Sequence, residues 1–232
     1  MIVLLHPIGL DRRCWGWMAD ETGIRHEFPG HGLRSAIRGD ISLTDLADDL
    51  LRRTPEEPLD LVGVSLGGAV ALQFSLRYPL RVRSLLVACS TGAEEHDSLI
   101  RRAEEASGSN VSGVTEGTLQ RWFTPNALLV GGPAVSYARS CLGSTDRLSL
   151  AATWRALADH NILDQAAKIA APTTLVAGLK DQAVGVWELE ALRSVLPTSR
   201  LATIDGPHML PLECPGQFRE AVSQHLQWLE SF

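Results

Sequence analysis

The hydrophobic positions along the chain fall into two kinds of segment. Several segments repeat apolar residues with the helical period and carry helix start or stop signals: Leu43–Arg53, Leu66–Tyr78, Val186–Leu196 and Cys214–Leu229. Six short runs are mostly continuously apolar, which is typical of strands covered on both faces of a parallel sheet: Ile2–Leu5, Ile24–Phe28, Leu59–Val64, Val82–Ala88, Thr173–Ala177 and Arg200–Ile204. Strands that alternate with helices predict an α/β fold with a mostly parallel sheet of about six strands.

One long segment interrupts this alternation. Residues 91–163 are amphipathic with a helical period and contain no convincing strand. The segment is too long for a structureless loop inside a compact domain. We therefore predict a core formed by residues 1–90 and 164–232, with residues 91–163 inserted as a helical cap.

The composition of the chain makes some classes of binding partner unlikely. The chain has 232 residues and a formal net charge of −6, so it lacks the basic surface that nucleic acids or anionic membranes require. No apolar run approaches the ~20 residues that span a bilayer, and the N-terminus lacks the features of a signal peptide. Four scattered cysteines show no metal-binding spacing. We expect a cytoplasmic monomer or homodimer that acts on a small molecule without a metal or cofactor.

The sequence Gly63-Val64-Ser65-Leu66-Gly67 joins a predicted strand to a predicted helix. This is the pattern of a nucleophile elbow, in which a serine is exposed at a sharp strand-to-helix turn. Side chains at positions 63 and 67 would collide where the strand and helix approach. The alternatives are a serine that merely caps the helix, or a phosphate-binding turn. The second is disfavoured because no GxGxxG or P-loop lysine is present.

A serine nucleophile needs a base and an acid that orients the base, and elbow enzymes supply them in the order serine, acid, histidine. His208 follows the last predicted strand, and Asp181 follows the strand before it. Asp97 is the alternative acid, although it lies in a charged helical segment. Asp205 is too close in sequence to His208. We predict a triad of Ser65, His208 and Asp181.

Negative charge on the reacting oxygen needs hydrogen-bond donors. The backbone N–H of Leu66 follows the nucleophile and is the first candidate. The second comes from the loop after the first strand, residues 6–9, which we call the oxyanion loop. Ile8 is its candidate because Pro7 has no N–H. His6 is interpreted as a buried residue that shapes this loop rather than as a second base.

These motifs together resemble the α/β-hydrolase superfamily over essentially the whole chain. The resemblance rests on LLHPIG, PGHG, GVSLGG, the strand followed by GLKD, and GPHMLPLECP. It implies the triad and oxyanion assignments given above, and it implies that the inserted helices cover the active site. One departure is that the N-terminal β-hairpin usual in the superfamily is missing.

A narrower resemblance comes from the inserted segment. Residues 118–125, 134–139 and 151–158 are similar to the 3-oxoadipate enol-lactonase family, whose members hydrolyse an enol-lactone in aromatic catabolism. The chain departs from this family in two places. The first inserted helix lacks a tryptophan ahead of its arginine, and the loop after the second strand reads HEFPGHG.

Five side chains are candidates for substrate contact. Arg12 and Arg13 follow the oxyanion loop and could bind a carboxylate, although surface arginines are the simpler interpretation. Trp122, Phe123 and Trp154 lie at helical positions, where aromatic residues usually belong to the core. Arg13, Trp122 and Trp154 are retained as candidate substrate-binding residues.

The function that these residues favour is hydrolysis of a small ester or lactone through an acyl-enzyme. Two alternatives remain open at this point. One is a C–C bond hydrolase for β-diketone-type substrates, or a lyase, on the same fold. The other is a non-catalytic receptor that retains the pocket.

Overall fold

Six parallel strands form one sheet in a computed structural model that describes residues 1–17 and 23–231. The strands lie in the order β2-β1-β3-β4-β5-β6, and every pairing between them is parallel. Their bounds are Ile2–Leu5, Ile24–His26, Leu59–Val64, Val82–Ala88, Thr173–Gly178 and Ser199–Ile204 for β1 to β6. The predicted fold class is confirmed.

Burial explains why these runs form the sheet. All residues of β3 and β5 are buried, which requires helices on both faces. The second strand is shorter than predicted and ends at His26. His26 pairs with Leu5, the last residue of β1, and beyond it the N–H of Phe28 donates to Nε2 of His6 at 3.0 Å.

Helices follow the strands closely. Helix α1 begins with a capping box in which Ser42 and Asp45 bond each other's backbone N–H groups. The predicted helix over Leu66–Tyr78 ends at Arg77, and the last helix begins with Pro215 at its first position. The bounds of the core helices are Leu43–Arg53 for α1, Leu66–Arg77 for α2, Val186–Val195 for α8, Leu210–Glu213 for α9 and Pro215–Leu229 for α10.

In the described part of the chain, five α-helices lie between β4 and β5. They are α3 His96–Ser107, α4 Val111–Trp122, α5 Pro125–Val130, α6 Pro133–Ser144 and α7 Arg147–Ala158. The chain leaves the core and returns to it at one place, because the N–H of Ile162 donates to the carbonyl of Gly92 at 2.7 Å and the N–H of Glu94 donates to the carbonyl of His160 at 2.9 Å. These bonds support our proposal that residues 91–163 form a distinct cap, which we call the helical insertion.

The lengths and compositions of the helices can be compared with those of a membrane-spanning helix. Among the residues described, no helix combines the length and the apolar character needed to cross a bilayer.

Candidate active site

Ser65 occupies a backbone conformation that few residues other than glycine adopt. Its φ is 53° and its ψ is −119°, directly between β3 and α2. Such strain costs of the order of 1–3 kcal/mol and persists where the surrounding structure enforces it. Ser65 is the N-cap of α2, yet its side chain makes no capping hydrogen bond. The helix-capping interpretation of this serine therefore does not describe the structure.

The glycines flanking Ser65 permit this turn. A Cβ on Gly63 would lie 2.3 Å from the carbonyl oxygen of Gly67, and a Cβ on Gly67 would lie 2.1 Å from the carbonyl oxygen of Leu5. Both neighbours are backbone atoms, which cannot rotate away. The collision predicted from the sequence is confirmed, and it includes β1 as well as the turn itself.

His208 and Asp181 form a buried pair. Nδ1 of His208 lies 2.8 Å from Oδ2 of Asp181, and their side chains are 3% and 0% exposed. Oδ1 of Asp181 accepts from the N–H groups of Ala183 and Val184 at 2.7 and 3.0 Å. Burial alone would raise the pKa of Asp181, but the charge of His208 and these hydrogen bonds lower it. An ionised carboxylate only accepts, so Nδ1 carries a proton, and in the neutral ring Nε2 is left as the acceptor.

The rival acids lie elsewhere. Asp97 is on α3 with its side chain 84% exposed, 3.2 Å from His96. Asp205 is 64% exposed and pairs with Lys180 at 2.8 Å. The geometry around His208 therefore favours Asp181 as the orienting acid.

Hydrogen bonds of His6 hold the oxyanion loop, which follows β1. His6 is fully buried, its Nδ1 lies 2.8 Å from the carbonyl oxygen of Pro7, and its Nε2 accepts from Phe28. Burial, followed by the nearby His31, lowers the pKa of His6 well below its ordinary value, so the ring is neutral. Among the described residues, the N–H groups of Ile8 and Leu66 donate to no backbone carbonyl in a loop, turn or cap. Both donors remain available to an oxyanion.

Trp122 connects the helical insertion to two parts of the candidate site. Its ring approaches the oxyanion loop, because Cη2 would lie 3.6 Å from a Cβ built on Gly9. Its carbonyl oxygen accepts from the N–H of Met209, next to His208, at 3.1 Å. The side chains of Leu142 and Leu150 also lie against Gly9. The insertion thus packs directly over the oxyanion loop with an apolar surface.

The other two candidate substrate-binding residues have different surroundings. Trp154 is buried, and the guanidinium of Arg102 lies 5.3 Å from the centre of its ring. Arg13 has a 70% exposed side chain, and its Nε and Nη2 donate to the Asp11 carboxylate at 2.6–3.1 Å. It borders a surface cleft of about 500 Å³ whose lining residues do not include Ser65, Asp181 or His208. Arg13 is therefore paired with Asp11, and the cleft that it borders does not contain the candidate triad.

Two residues near the His208–Asp181 pair were missed from the sequence. Glu94 follows β4, and burial raises its pKa to about 7 against the opposing charges of His208 and Arg102. Cys89 directly follows β4 and has a φ of 49°. Its sulfur and the ligand atoms of Asp181 and His208 lie within 4.8 Å of one another, a set that could hold a metal ion. Neither residue carries a local sequence signal, since both depend on strands that are distant in the chain.

Comparison with known proteins decides the family. The sequence profile of the alpha/beta hydrolase family matches residues 2–221. The chain belongs to the α/β-hydrolase family. Its candidate nucleophile, acid and histidine follow β3, β5 and β6 of the parallel sheet, at the carboxyl edge where this hydrolase fold places its chemistry.

Individual relatives are similar to this chain over nearly its whole length. 3-Oxoadipate enol-lactonase 1 from Acinetobacter baylyi is 24% identical over 231 residues, which are 96% of this chain and 86% of that protein. A hydrolase from Pseudomonas aeruginosa superposes with a TM-score of 0.91 at 26% identity, covering 97% of this chain and 89% of the other. The enol-lactonase from Burkholderia xenovorans gives a TM-score of 0.91 at 21% identity, covering 97% and 90%.

Proposed function

We propose that this α/β-hydrolase cleaves a small ester or lactone through a Ser65–His208–Asp181 triad and an acyl-enzyme. The observation that carries the proposal is the buried His208–Asp181 pair, at 2.8 Å, on the same sheet edge as the strained Ser65. The orientation of the pair leaves Nε2 of His208 free to accept a proton. The alternative in which Ser65 only caps a helix is disfavoured by its missing capping bond.

Acylation follows from these positions. The Oγ of Ser65 attacks the acyl carbon while Nε2 of His208 accepts the hydroxyl proton. The carbonyl oxygen becomes an oxyanion, which the N–H groups of Ile8 and Leu66 stabilise, each donor being worth about 10²–10³ in rate. The C–O bond to the leaving group then breaks, and His208 returns the proton to the leaving oxygen. From a lactone the leaving oxygen stays on the acyl chain.

Deacylation repeats the sequence with water. His208 takes a proton from the water as its oxygen attacks the acyl-enzyme, and the proton passes to Ser65 as the ester bond breaks. The net reaction adds one water and releases the acid. Asp181 remains ionised throughout and stabilises the imidazolium. These steps use only side chains, backbone N–H groups and water.

The position of the helical insertion favours a substrate that is small and largely apolar. Trp122, Leu142 and Leu150 approach Gly9 in the oxyanion loop, so little depth is left above it. The similarity to two enol-lactonases, at 21–24% identity, makes an enol-lactone the first substrate to test. We propose an enol-lactone or a related small lactone as the substrate class.

The test is hydrolysis of 3-oxoadipate enol-lactone, simple lactones and p-nitrophenyl acetate by the wild type and by Ser65→Ala. Lactone turnover that disappears in Ser65→Ala is the expected result. Turnover of the aryl ester alone would retain the triad but remove the enol-lactone assignment. Full turnover by Ser65→Ala would overturn the proposed mechanism. A wild type that is inactive on the whole panel would favour C–C cleavage or a receptor.

A further inference from the structure

Two non-glycine residues in the described part of the chain have a positive φ, and each directly follows one of two neighbouring strands. They are Ser65 with a φ of 53° after β3 and Cys89 with a φ of 49° after β4. The strain at Ser65 is explained by the elbow. The strain at Cys89 has no such explanation, although strained residues of this kind gather at functional sites. The contacts of the Cys89 side chain indicate what this conformation achieves.

The thiol of Cys89 is directed at the acid of the candidate triad. Cys89 is completely buried, and its sulfur lies within 4.8 Å of both an Asp181 carboxylate oxygen and a His208 ring nitrogen. The Asp181 carboxylate and the backbone of Gly178 both interact with this thiol. Burial, and after it the charge of Asp181, raises the pKa of Cys89 well above its ordinary value. The group is a protonated thiol, which can donate.

The hydrogen bonds of Asp181 show what this donor adds. Oδ1 accepts two backbone N–H groups, and Oδ2 accepts from His208. Two carboxylate oxygens offer about four acceptor sites, so the thiol can take one that the others leave. The remaining titratable groups that act on this cluster are Glu94, from the loop after β4, and Cys214, at the start of α10. Among the described contacts of Asp181, neither of these groups is a hydrogen-bond partner.

We propose that Cys89 is a positioning residue, whose thiol holds the Asp181 carboxylate in the orientation that presents Oδ2 to His208. The inference rests on the proposed function, because it assigns Cys89 a role only through the triad. The positive φ of Cys89 is the backbone conformation that places its side chain between β4 and the acid. A cysteine suits this place because a thiol donates weakly, so it orients the carboxylate while leaving its charge for His208.

Cys89→Ala and Cys89→Ser test the proposal, and Cys14→Ala is the control for loss of a buried thiol elsewhere. Each is assayed for p-nitrophenyl acetate hydrolysis across pH and for the rate at which a fluorophosphonate labels Ser65. In Cys89→Ala we expect kcat and the labelling rate to fall about threefold to tenfold, with KM unchanged. The acid limb of kcat/KM should move to higher pH, because a carboxylate with one donor fewer holds the imidazolium more strongly.

The serine variant restores a donor of similar size, so it should recover the rate and the acid limb. Cys14→Ala should match the wild type. Equal rates and pH profiles in wild type and Cys89→Ala would overturn the inference alone. Equal losses in Cys89→Ala and Cys89→Ser without a shift of the acid limb would also overturn it. A wild type that neither labels nor hydrolyses the ester would instead overturn the proposed function.

A second measurement avoids dependence on how well Cys89→Ala folds. Asp181→Asn removes the acid, and Cys89→Asp in that background places a carboxylate beside His208 from the neighbouring strand. Since the sulfur lies within 4.8 Å of the ring nitrogen, we expect the double variant to exceed Asp181→Asn by about tenfold or more in kcat. A folded double variant with no gain would contradict the placement of this side chain.

Discussion

Asp181 and His208 are joined by a 2.8 Å contact between Oδ2 and Nδ1 inside the protein. An amide at position 181 would present its NH₂ group to Nδ1 and favour the tautomer with the proton on Nε2. That tautomer cannot accept the proton of Ser65. We expect Asp181→Asn to lower kcat by roughly 10³- to 10⁴-fold with a small change in KM, measured by p-nitrophenyl acetate hydrolysis.

Asp97→Asn is the matched control, because it makes the same chemical change at the rival acid. The Asp97 side chain is 84% exposed on α3. Its substitution should leave kcat within about twofold of the wild type, as is usual for surface positions. A loss at Asp97 equal to that at Asp181 would contradict the assignment of the acid.

The glycines of the elbow give a prediction about stability. Gly67→Ala would place a Cβ 2.1 Å from the backbone oxygen of Leu5, so β1 and α2 must separate. We expect a loss of about 3 kcal/mol in the free energy of unfolding, measured by urea denaturation. Gly117→Ala, inside α4, meets only the end of Arg121 at 3.8 Å and should gain about 0.5–1 kcal/mol. Equal stability of the two variants would show that β1 and α2 are not in close contact at the elbow.

Three buried histidines predict how stability depends on pH. Burial lowers the pKa of His31, His160 and His225 to about 4 each, below the value of about 6.5 in an unfolded chain. The unfolded state therefore binds more protons between these values, and stability falls as pH decreases from about 6.5 towards 4. Above about 6.5 these groups are neutral in both states and contribute no slope.

His225→Gln isolates one of these histidines. His225 lies between Thr174 and Ser84 at 2.8 and 3.1 Å, so the variant loses stability at neutral pH. Its free energy of unfolding should nevertheless depend less on pH, by roughly 1 kcal/mol per unit between pH 6 and 4.5. The wild type, titrated in parallel, is the reference. Urea titrations at several pH values measure both, and an unchanged slope in His225→Gln would contradict the account.

Arg13 is expected to act in stability rather than in substrate binding. It holds Asp11, whose pKa is lowered to about 2 by hydrogen bonds from Arg13 that outweigh the effect of burial. The Arg13–Asp11 pair also contacts the helical insertion, because the hydroxyl of Tyr137 on α6 donates to Oδ1 of Asp11 at 3.0 Å. Since Arg13 is mostly exposed, Arg13→Gln should cost only about 1 kcal/mol in the free energy of unfolding. KM should be unchanged for both neutral and anionic esters, and a rise confined to anionic esters would restore Arg13 as a substrate residue.

The sheet and the elbow were predictable because their signals are local. The continuous apolar runs and the spacing of Gly63, Ser65 and Gly67 depend on neighbouring residues, and burial in β3 and β5 follows from the run itself. His208 and Asp181 were also predictable, since each follows a strand in a fixed order. Their contact confirms that parallel strands bring such loops to one edge.

The features that were missed arise from contacts between distant segments. The early end of β2 coincides with the end of β1, where His26 pairs with Leu5, 21 residues away. The roles of Cys89 and Glu94 depend on loops that meet only when β4 and β5 pair. No periodicity or motif in the sequence records these encounters, because each residue type is common at strand ends and on helix faces.

Glu94 supplies a last prediction, about how substrate charge and pH interact at this site. Burial raises its pKa to about 7, and its carboxyl group acts electrostatically on both His208 and Arg102. Glu94 is therefore mostly protonated at pH 6 and mostly ionised at pH 8. An anionic ester should bind less well as this carboxylate forms, and we expect its KM to rise about twofold to fivefold over that range. The KM of neutral p-nitrophenyl acetate should stay constant.

Glu94→Gln keeps the size of the side chain and removes its charge. In this variant the KM of an anionic ester, such as mono-p-nitrophenyl succinate, should no longer rise with pH, because the group that repels it cannot ionise. Glu95→Gln makes the same change at the exposed neighbouring residue and should retain the wild-type rise. If the rise persists in Glu94→Gln, another group near His208 is responsible. If the KM of the anionic ester does not rise with pH in the wild type, Glu94 does not face the bound substrate.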